Sequence, residues 1–176
     1  MLKLDEILKG VKRAGIAGHV RPDGDCTGSC LALYQYLRMY YPEVSTDVYL
    51  EEIPNSFHML TGADEIRHEL PEDTGYDVFF ALDCGDTKRL RFAGTLFEQA
   101  KKTVCIDHHV SNLAFADVNQ IVPDASSTSE LIYDLLEKER ITKEIAEALY
   151  LGIVHDTGVL QYSCTTPSTM EAAAEL

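Results

Sequence analysis

The sequence predicts a doubly wound α/β fold, with a mainly parallel five-stranded sheet and helices on both faces. Two observations carry this prediction. Short apolar runs bounded by turn residues alternate with longer stretches of helical spacing, the pattern of strands covered on both faces and joined by crossover helices. Three of these runs also end in polar clusters: Ala14 to Gly18 leads into His19, Asp23 and Asp25, Val78 to Leu82 into Asp83 and Asp86, and Thr103 to Ile106 into Asp107, His108 and His109. In an open parallel sheet, ligands bind beyond the carboxyl ends of the strands where strand order reverses, so the three clusters are expected to converge on one site.

Taken in order, residues 1–13 place Leu4, Ile7, Leu8 and Val11 at 3–4 spacing and predict a leading amphipathic helix ending near Gly15. After the first strand, Cys26 to Tyr40 carries Leu31, Leu33, Tyr34, Leu37 and Met39 and stops before Pro42, which disfavours helix in the preceding residue. Val44 to Leu50 is a second strand, Asn55 to Leu60 a short helix or turn, and Leu70 to Tyr76 a loop containing Pro71 and Gly75. Val78 to Leu82 is wholly apolar and suits a central strand. Leu96 to Lys102 is expected to be a helix feeding the fourth strand at Thr103 to Ile106, and Phe115 to Val122 a fifth strand or extended segment. Ser126 or Ser127 can cap a helix running through Lys138, and Thr142 another with Ile145, Leu149 and Ile153 on one face. Ser168 to Leu176 has good helix formers and no stop signal. No repeat or low-complexity tract is present.

At 176 residues and 45% apolar composition the chain can bury one substantial core, and one domain over 1–176 is expected. No run approaches the roughly 18 apolar residues that would span a bilayer, and the first residues lack the apolar core of a signal peptide, so a cytoplasmic protein with no membrane partner is expected. The five cysteines, at 26, 30, 84, 105 and 164, form no C-x-x-C pair and suit packed, reduced thiols. A formal charge of −14 argues against a long nucleic-acid track, because affinity for a polyanion comes from cationic side chains that neutralise phosphates. Cations bound at the strand-end aspartates would reverse the sign locally and admit a small phosphorylated substrate.

The chemistry follows from the residue types. Carboxylate oxygens with one or two imidazoles suit manganese, magnesium or iron better than thiolate-held zinc. Four or five carboxylates could not share a site without cations. Two metals roughly 3.5–4 Å apart, bridged by one aspartate, form a clamp for in-line phosphoryl transfer, and Asp83 at the middle strand end is the natural bridge. Asp156, in Val154-His155-Asp156-Thr157-Gly158, is read as following a helix and preceding a turn glycine.

Four motifs in order then resemble the DHH phosphoesterases, most closely their nano-RNase and phosphoadenosine-phosphate phosphatase branch. They are Gly18 to Ser29 (GHVRPDGDCTGS), Leu82 to Asp86 (LDCGD), Ile106 to Asn112 (IDHHVSN) and Asp156 to Gly158 (DTG), the last followed by Tyr162 to Pro167 (YSCTTP). Ala125 to Glu130 (ASSTSE) also looks like that branch, so the resemblance covers nearly the whole chain.

The resemblance implies two divalent cations, with manganese the family's usual ion and magnesium or iron compatible. One would be held by His19, Asp23 and Asp83, and the other by Asp25, Asp83, His108 and Asp156. It further implies His109 as the contact to the scissile phosphate, with Asp107 orienting a histidine. The reaction implied is two-metal in-line hydrolysis of short oligoribonucleotides, adenosine 3′,5′-bisphosphate, or both. A single-strand exonuclease, a pyrophosphatase and a non-catalytic nucleotide-binding domain remain as alternatives. The family pattern adds a C-terminal DHHA1 domain with a Gly-Gly-Gly-His-type motif, and no such segment occurs within 1–176. The chain is therefore expected to be a truncated catalytic DHH domain that binds metal but turns over poorly, because remote binding energy is lost.

Several residues invite a plainer reading. Arg21 is a candidate for substrate phosphate, with solvated surface charge as the alternative, and Lys88-Arg89 favours the surface reading. His58 and His68 lie outside every motif. His155 and Leu160 stand where the branch carries threonine and phenylalanine; His155 is expected to be structural or to support the ligands, with direct proximity to metal as the alternative. Asp86 is expected to bond amides at a helix start.

Overall fold

The computed structural model describes residues 2–73 and 75–176; Met1, at the start of the expected leading helix, and Thr74, in the loop before the third strand, lie outside the described residues. Five parallel strands form one sheet: β1 (Arg13–Ala17), β2 (Ser45–Tyr49), β3 (Val78–Leu82), β4 (Thr103–Asp107) and β5 (Val118–Ile121), in the order β2-β1-β3-β4-β5. From β1 the chain turns outward to β2, whereas β3, β4 and β5 proceed in the opposite direction. The reversal therefore falls between β1 and β3, where their carboxyl ends open a crevice.

The predicted doubly wound class is observed. Ile16, Val78, Phe80, Leu82, Val104 and Ile106 belong to the larger core, built with α1 (Leu4–Leu8), α2 (Gly24–Tyr40), α4 (Thr128–Leu135) and α5 (Lys143–Asp156). Ala17, Tyr49, Phe79 and Ala81 join the smaller core under α3 (Ala93–Gln99). Because successive strand residues point to opposite faces, a strand covered on both must be apolar throughout, and every residue of β3 is buried. Burying a side chain such as Phe80 or Leu82 contributes about 1.5–3 kcal/mol.

Helix α2 is buried from Gly24 through Leu37. Its buried residues from Cys30 onward are largely apolar, whereas Asp25, Thr27 and Ser29 bury polar side chains at its N-terminal end, and the helix lies between the sheet and α5. The two helices approach backbone to backbone. A Cβ at Gly28 would stand 2.3 Å from the Ala148 carbonyl oxygen, and one at Gly152 would stand 1.9 Å from Ser129 Oγ.

Several expected boundaries move. The leading helix spans Leu4–Leu8 alone, because Gly10 takes φ +78° and the chain straightens into β1, whose entry amides at Lys12 and Arg13 donate to Asp77 Oδ2. The helix expected over Leu96 to Lys102 is shifted toward the N-terminus as Ala93–Gln99, so that Ala93, Leu96 and Phe97 meet the aromatic face. The helix expected to reach Lys138 ends at Leu135, where Leu136 turns extended and stays buried, and a 3₁₀ turn covers Lys138–Arg140. The fifth strand is confined to Val118–Ile121. Ser127, Thr142 and Asp86 act as caps, and Thr166 caps α6 (Pro167–Glu175).

Candidate metal centre

The site is assembled at the carboxyl ends of β1, β3 and β4 and closed by the ends of three helices. Beyond β1, the His19 Nδ1 faces the Val20 carbonyl oxygen at 2.8 Å. A carbonyl only accepts, so Nδ1 carries the hydrogen and Nε2 is the nitrogen available to a metal. That Nε2 lies 3.5 Å from Asp23 Oδ2 and 3.3 Å from Asp83 Oδ2. Asp23 divides its carboxylate. Its Oδ1 accepts from the Asp25 and Cys26 amides as the N-cap of α2, and its Oδ2 faces the site.

At the end of β3, Asp83 adopts φ +51°, a left-handed conformation that aspartate tolerates better than most residues. Its buried carboxylate then faces two ways. Oδ2 meets His19, while Oδ1 lies 3.5 Å from His108 Nε2 and 3.6 Å from His109 Nδ1. His108, beyond β4, turns the same Nε2 toward Asp156 Oδ2 at 3.2 Å and Asp25 Oδ2 at 3.8 Å. Asp156 is the last residue of α5 rather than a residue beyond it, which corrects the expected boundary. The third strand-end residue, Asp107, is fully buried; its Oδ1 lies 2.7 Å from His109 Nδ1 and its Oδ2 accepts from Asn112 Nδ2 at 2.7 Å.

The electrostatics register a demand for positive charge. Burial opposes protonation of His19, but its contacts with Asp23 and Asp83 outweigh this and push it up to about 11. Burial is likewise overcome at His108 by Asp156 and Asp83, again to about 11. At Asp83, burial would raise the carboxyl, and His108 and His19 instead hold it well below the usual range. Asp25, wholly buried beside the charges of Asp83 and Asp156, is pushed up. His109 is raised chiefly by Asp107. Protons on two imidazoles thus do what divalent cations would do better, namely neutralise a carboxylate cluster.

The donor set fits such cations. The atoms facing inward are carboxylate oxygens and imidazole Nε2, suited to hard or borderline divalent ions. Asp25, His108 and Asp156 offer ligand atoms that lie within 4.8 Å of one another. Cys26 is also close to His19 and Asp83, but burial raises its thiol far above the ordinary value, which leaves it neutral, and its sulfur accepts the His19 amide at 3.2 Å. His155, exposed at the rim, lies within ligand reach of Asp23 and Asp156.

The structure brings His19, Asp23, Asp25, Asp83, His108 and Asp156 together, with His109 and Asp107 against them. It does not bring Arg21 in: among the described residues no hydrogen bond or ion pair joins its guanidinium to the cluster. The exposed Arg21 has φ +53°, donates its amide to Glu51 Oε2 at 3.0 Å, and lines an open cavity of about 860 Å³ with Pro22, Ile53, Pro54 and Phe92. Sequence reasoning missed four contributors: Asn112, Thr128, Ser129 and Gly152. All but Gly152 lie inside quoted motifs, but their partners are remote in the chain and no local spacing reveals them.

This chain resembles several known proteins in sequence and in structure. It is 34% identical over 164 residues to the bifunctional oligoribonuclease and PAP phosphatase NrnA of Bacillus subtilis, covering 90% of this chain and 50% of that protein. It is 31% identical over 174 residues to the protein of the same name from Thermus thermophilus, covering 97% and 52%. The chain thus spans about half the length of these relatives. The crystal structure of an exopolyphosphatase-related protein from Bacteroides fragilis superposes with a TM-score of 0.85 at 26% identity, over 97% of this chain and 53% of that one. The sequence profile described as DHH family, N-terminal domain, matches residues 13–153, and the chain belongs to the DHH family.

Proposed function

We propose that this chain is the catalytic part of a divalent-metal phosphoesterase that acts on short oligoribonucleotides and adenosine 3′,5′-bisphosphate. The observation that carries the reading is Asp83, whose two carboxylate oxygens face two separate donor groups. His19, Asp23 and Asp83 would hold one cation, and Asp25, Asp83, His108 and Asp156 the other. Bound there, the two ions, manganese by preference, would neutralise phosphate charge and generate a hydroxide nucleophile from water at neutral pH.

The remaining work falls to side chains. Asp107 fixes the His109 ring through Nδ1 and favours its protonated form, which leaves Nε2 as a charge-assisted donor for a phosphate oxygen. Asn112 holds Asp107 from its other oxygen, so the ring orientation is set before substrate arrives. Asp83 and Asp25, both buried, would hold the cations, with little freedom of their own side chains. Membership of the family and the names of the relatives support the substrate class. Incubating the protein and manganese with a ribodinucleotide, adenosine 3′,5′-bisphosphate and pyrophosphate tests it. The first two are expected to be cleaved in preference; pyrophosphate as the best substrate would overturn the reading.

A further inference from the structure

The segment Ser126 to Glu130 starts a helix, yet it touches the metal centre more often than a helix start requires. Ser127 caps α4, its hydroxyl accepting from the Glu130 amide at 3.0 Å. The other amides of a first helical turn have no partner within the helix. Here two of them converge on one carboxylate, Thr128 N donating to Asp25 Oδ2 at 2.6 Å and Ser129 N to Asp25 Oδ1 at 2.7 Å. The Thr128 hydroxyl donates to Asp83 Oδ1 at 3.2 Å, the same oxygen that faces His108 and His109. Thr128, Ser129 and Asp25 are all fully buried.

We propose that Thr128 and the first turn of α4 form the positioning element of the metal centre, aiming Asp25 through two backbone amides and the shared Asp83 through the Thr128 hydroxyl. The inference rests on the reading of Asp25 and Asp83 as ligands. A carboxylate oxygen that accepts one amide keeps a lone pair for a cation, so support and ligation are compatible. The positive end of the α4 dipole further favours the buried anion. The brace is itself held. Glu130 accepts from the Ser126 amide at 3.1 Å, the Ser168 hydroxyl at 2.8 Å and the Thr169 hydroxyl at 2.9 Å, which ties the start of α4 to α6. Both supported carboxylates serve the donor group of Asp25, Asp83, His108 and Asp156, so loss of support is felt there first.

The hydroxyl can be removed alone or together with the amide. Thr128→Val deletes the hydroxyl at nearly constant volume, and Thr128→Ser retains it. Thr128→Pro deletes the amide donor as well as the hydroxyl, at the first helical position where proline is tolerated, and Ser127 already has the extended backbone that must precede it; its loss beyond that of Thr128→Val reports the amide. Manganese binding is read by electron paramagnetic resonance, with thermal melting alongside. Thr128→Val is expected to weaken one of the two sites roughly tenfold to a hundredfold, with Thr128→Ser close to wild type and Thr128→Pro weaker still. Wild-type binding by Thr128→Val, or equal loss in the valine and serine variants, overturns the proposal; should the valine variant melt early, Thr128→Ala takes its place under the same criteria. Asp83→Asn separates the two readings. If it binds manganese as the wild type does, the ligand assignment is wrong; if it loses binding while Thr128→Val does not, only the positioning role is wrong.

Discussion

The two donor groups that share Asp83 are built in opposite ways. The His19 and Asp23 group sits on a single loop, five residues from end to end, and the Asp23 side chain is 40% exposed. The group of Asp25, His108 and Asp156 is drawn from α2, the β4 exit and the end of α5, and Asp25 has no exposure at all. The first is shaped by chain connectivity and a helix cap. The second exists only when α2 and α5 pack beside the exit of β4, so its integrity is a packing property before it is an electrostatic one.

The largest effect belongs to the residue common to both. Asp83→Asn leaves the loop and the helices in place but weakens the anionic bridge, so both cations are expected to be lost together. Isothermal titration with manganese would read this as a collapse of stoichiometry rather than a halving. Retention of one tight site would break the comparison, since it would show that the groups do not share the residue.

Gly152→Ala is next, and it should strike the packed group alone. The new Cβ would meet Ser129 Oγ at 1.9 Å and Asp25 Oδ1 at 2.8 Å, atoms held between helix backbones with nowhere to retreat. Overpacking of this kind costs roughly 1–3 kcal/mol, read as a lower melting temperature. Loss of the Asp25 site with the His19 site preserved is the expected pattern. Asp23→Asn offers the converse: asparagine caps a helix as well as aspartate, so stability should hold while the loop site weakens.

These contrasts also explain what the sequence made legible. The candidate ligands could be picked out because each follows an apolar strand or lies in a short motif, as with His19 after β1 and Asp83 after Val78–Leu82, a strand found with its predicted bounds. Thr128, Ser129 and Gly152 could not be read, because their roles are set by contacts across α2, α4 and α5. Asn112 hid for a milder reason: it lies in the same motif as Asp107, but nothing in the spacing states which oxygen it serves. The expected bounds of α3 and α4 moved where Phe97 and Leu136 are buried, and the leading helix stopped short at Gly10.

A proton and a metal compete for both groups alike. His19 and His108 are each raised from 6.5 to about 11 without metal, so both hold protons at neutral pH and must release them to become ligands. A raised folded value stabilises the metal-free protein fully below the unfolded value, and that contribution fades as pH climbs through about 11. Metal-free stability therefore falls toward alkaline pH while manganese affinity rises. The thermal shift produced by manganese should grow with pH, with proton release measurable by titration in buffers of different ionisation enthalpy. A shift independent of pH would mean that the imidazoles are not the ligands.

The smallest effect is expected where neither group is touched. Asp107 lies beside both, yet its oxygens go to His109 and Asn112, so Asp107→Asn should leave manganese binding nearly unchanged. What it removes is the charge that raises His109. The His109 value should drop back toward that of an ordinary imidazole, visible in its ring resonances as pH is varied. A phosphate donor that must be protonated would then fail at lower pH than in the wild type, moving the alkaline limb of the rate profile toward neutrality. An unmoved limb with intact metal binding would reduce Asp107 to a structural support. A limb that moved together with lost manganese would mean that Asp107 belongs to the metal cluster and that the division into two groups around Asp83 is incomplete.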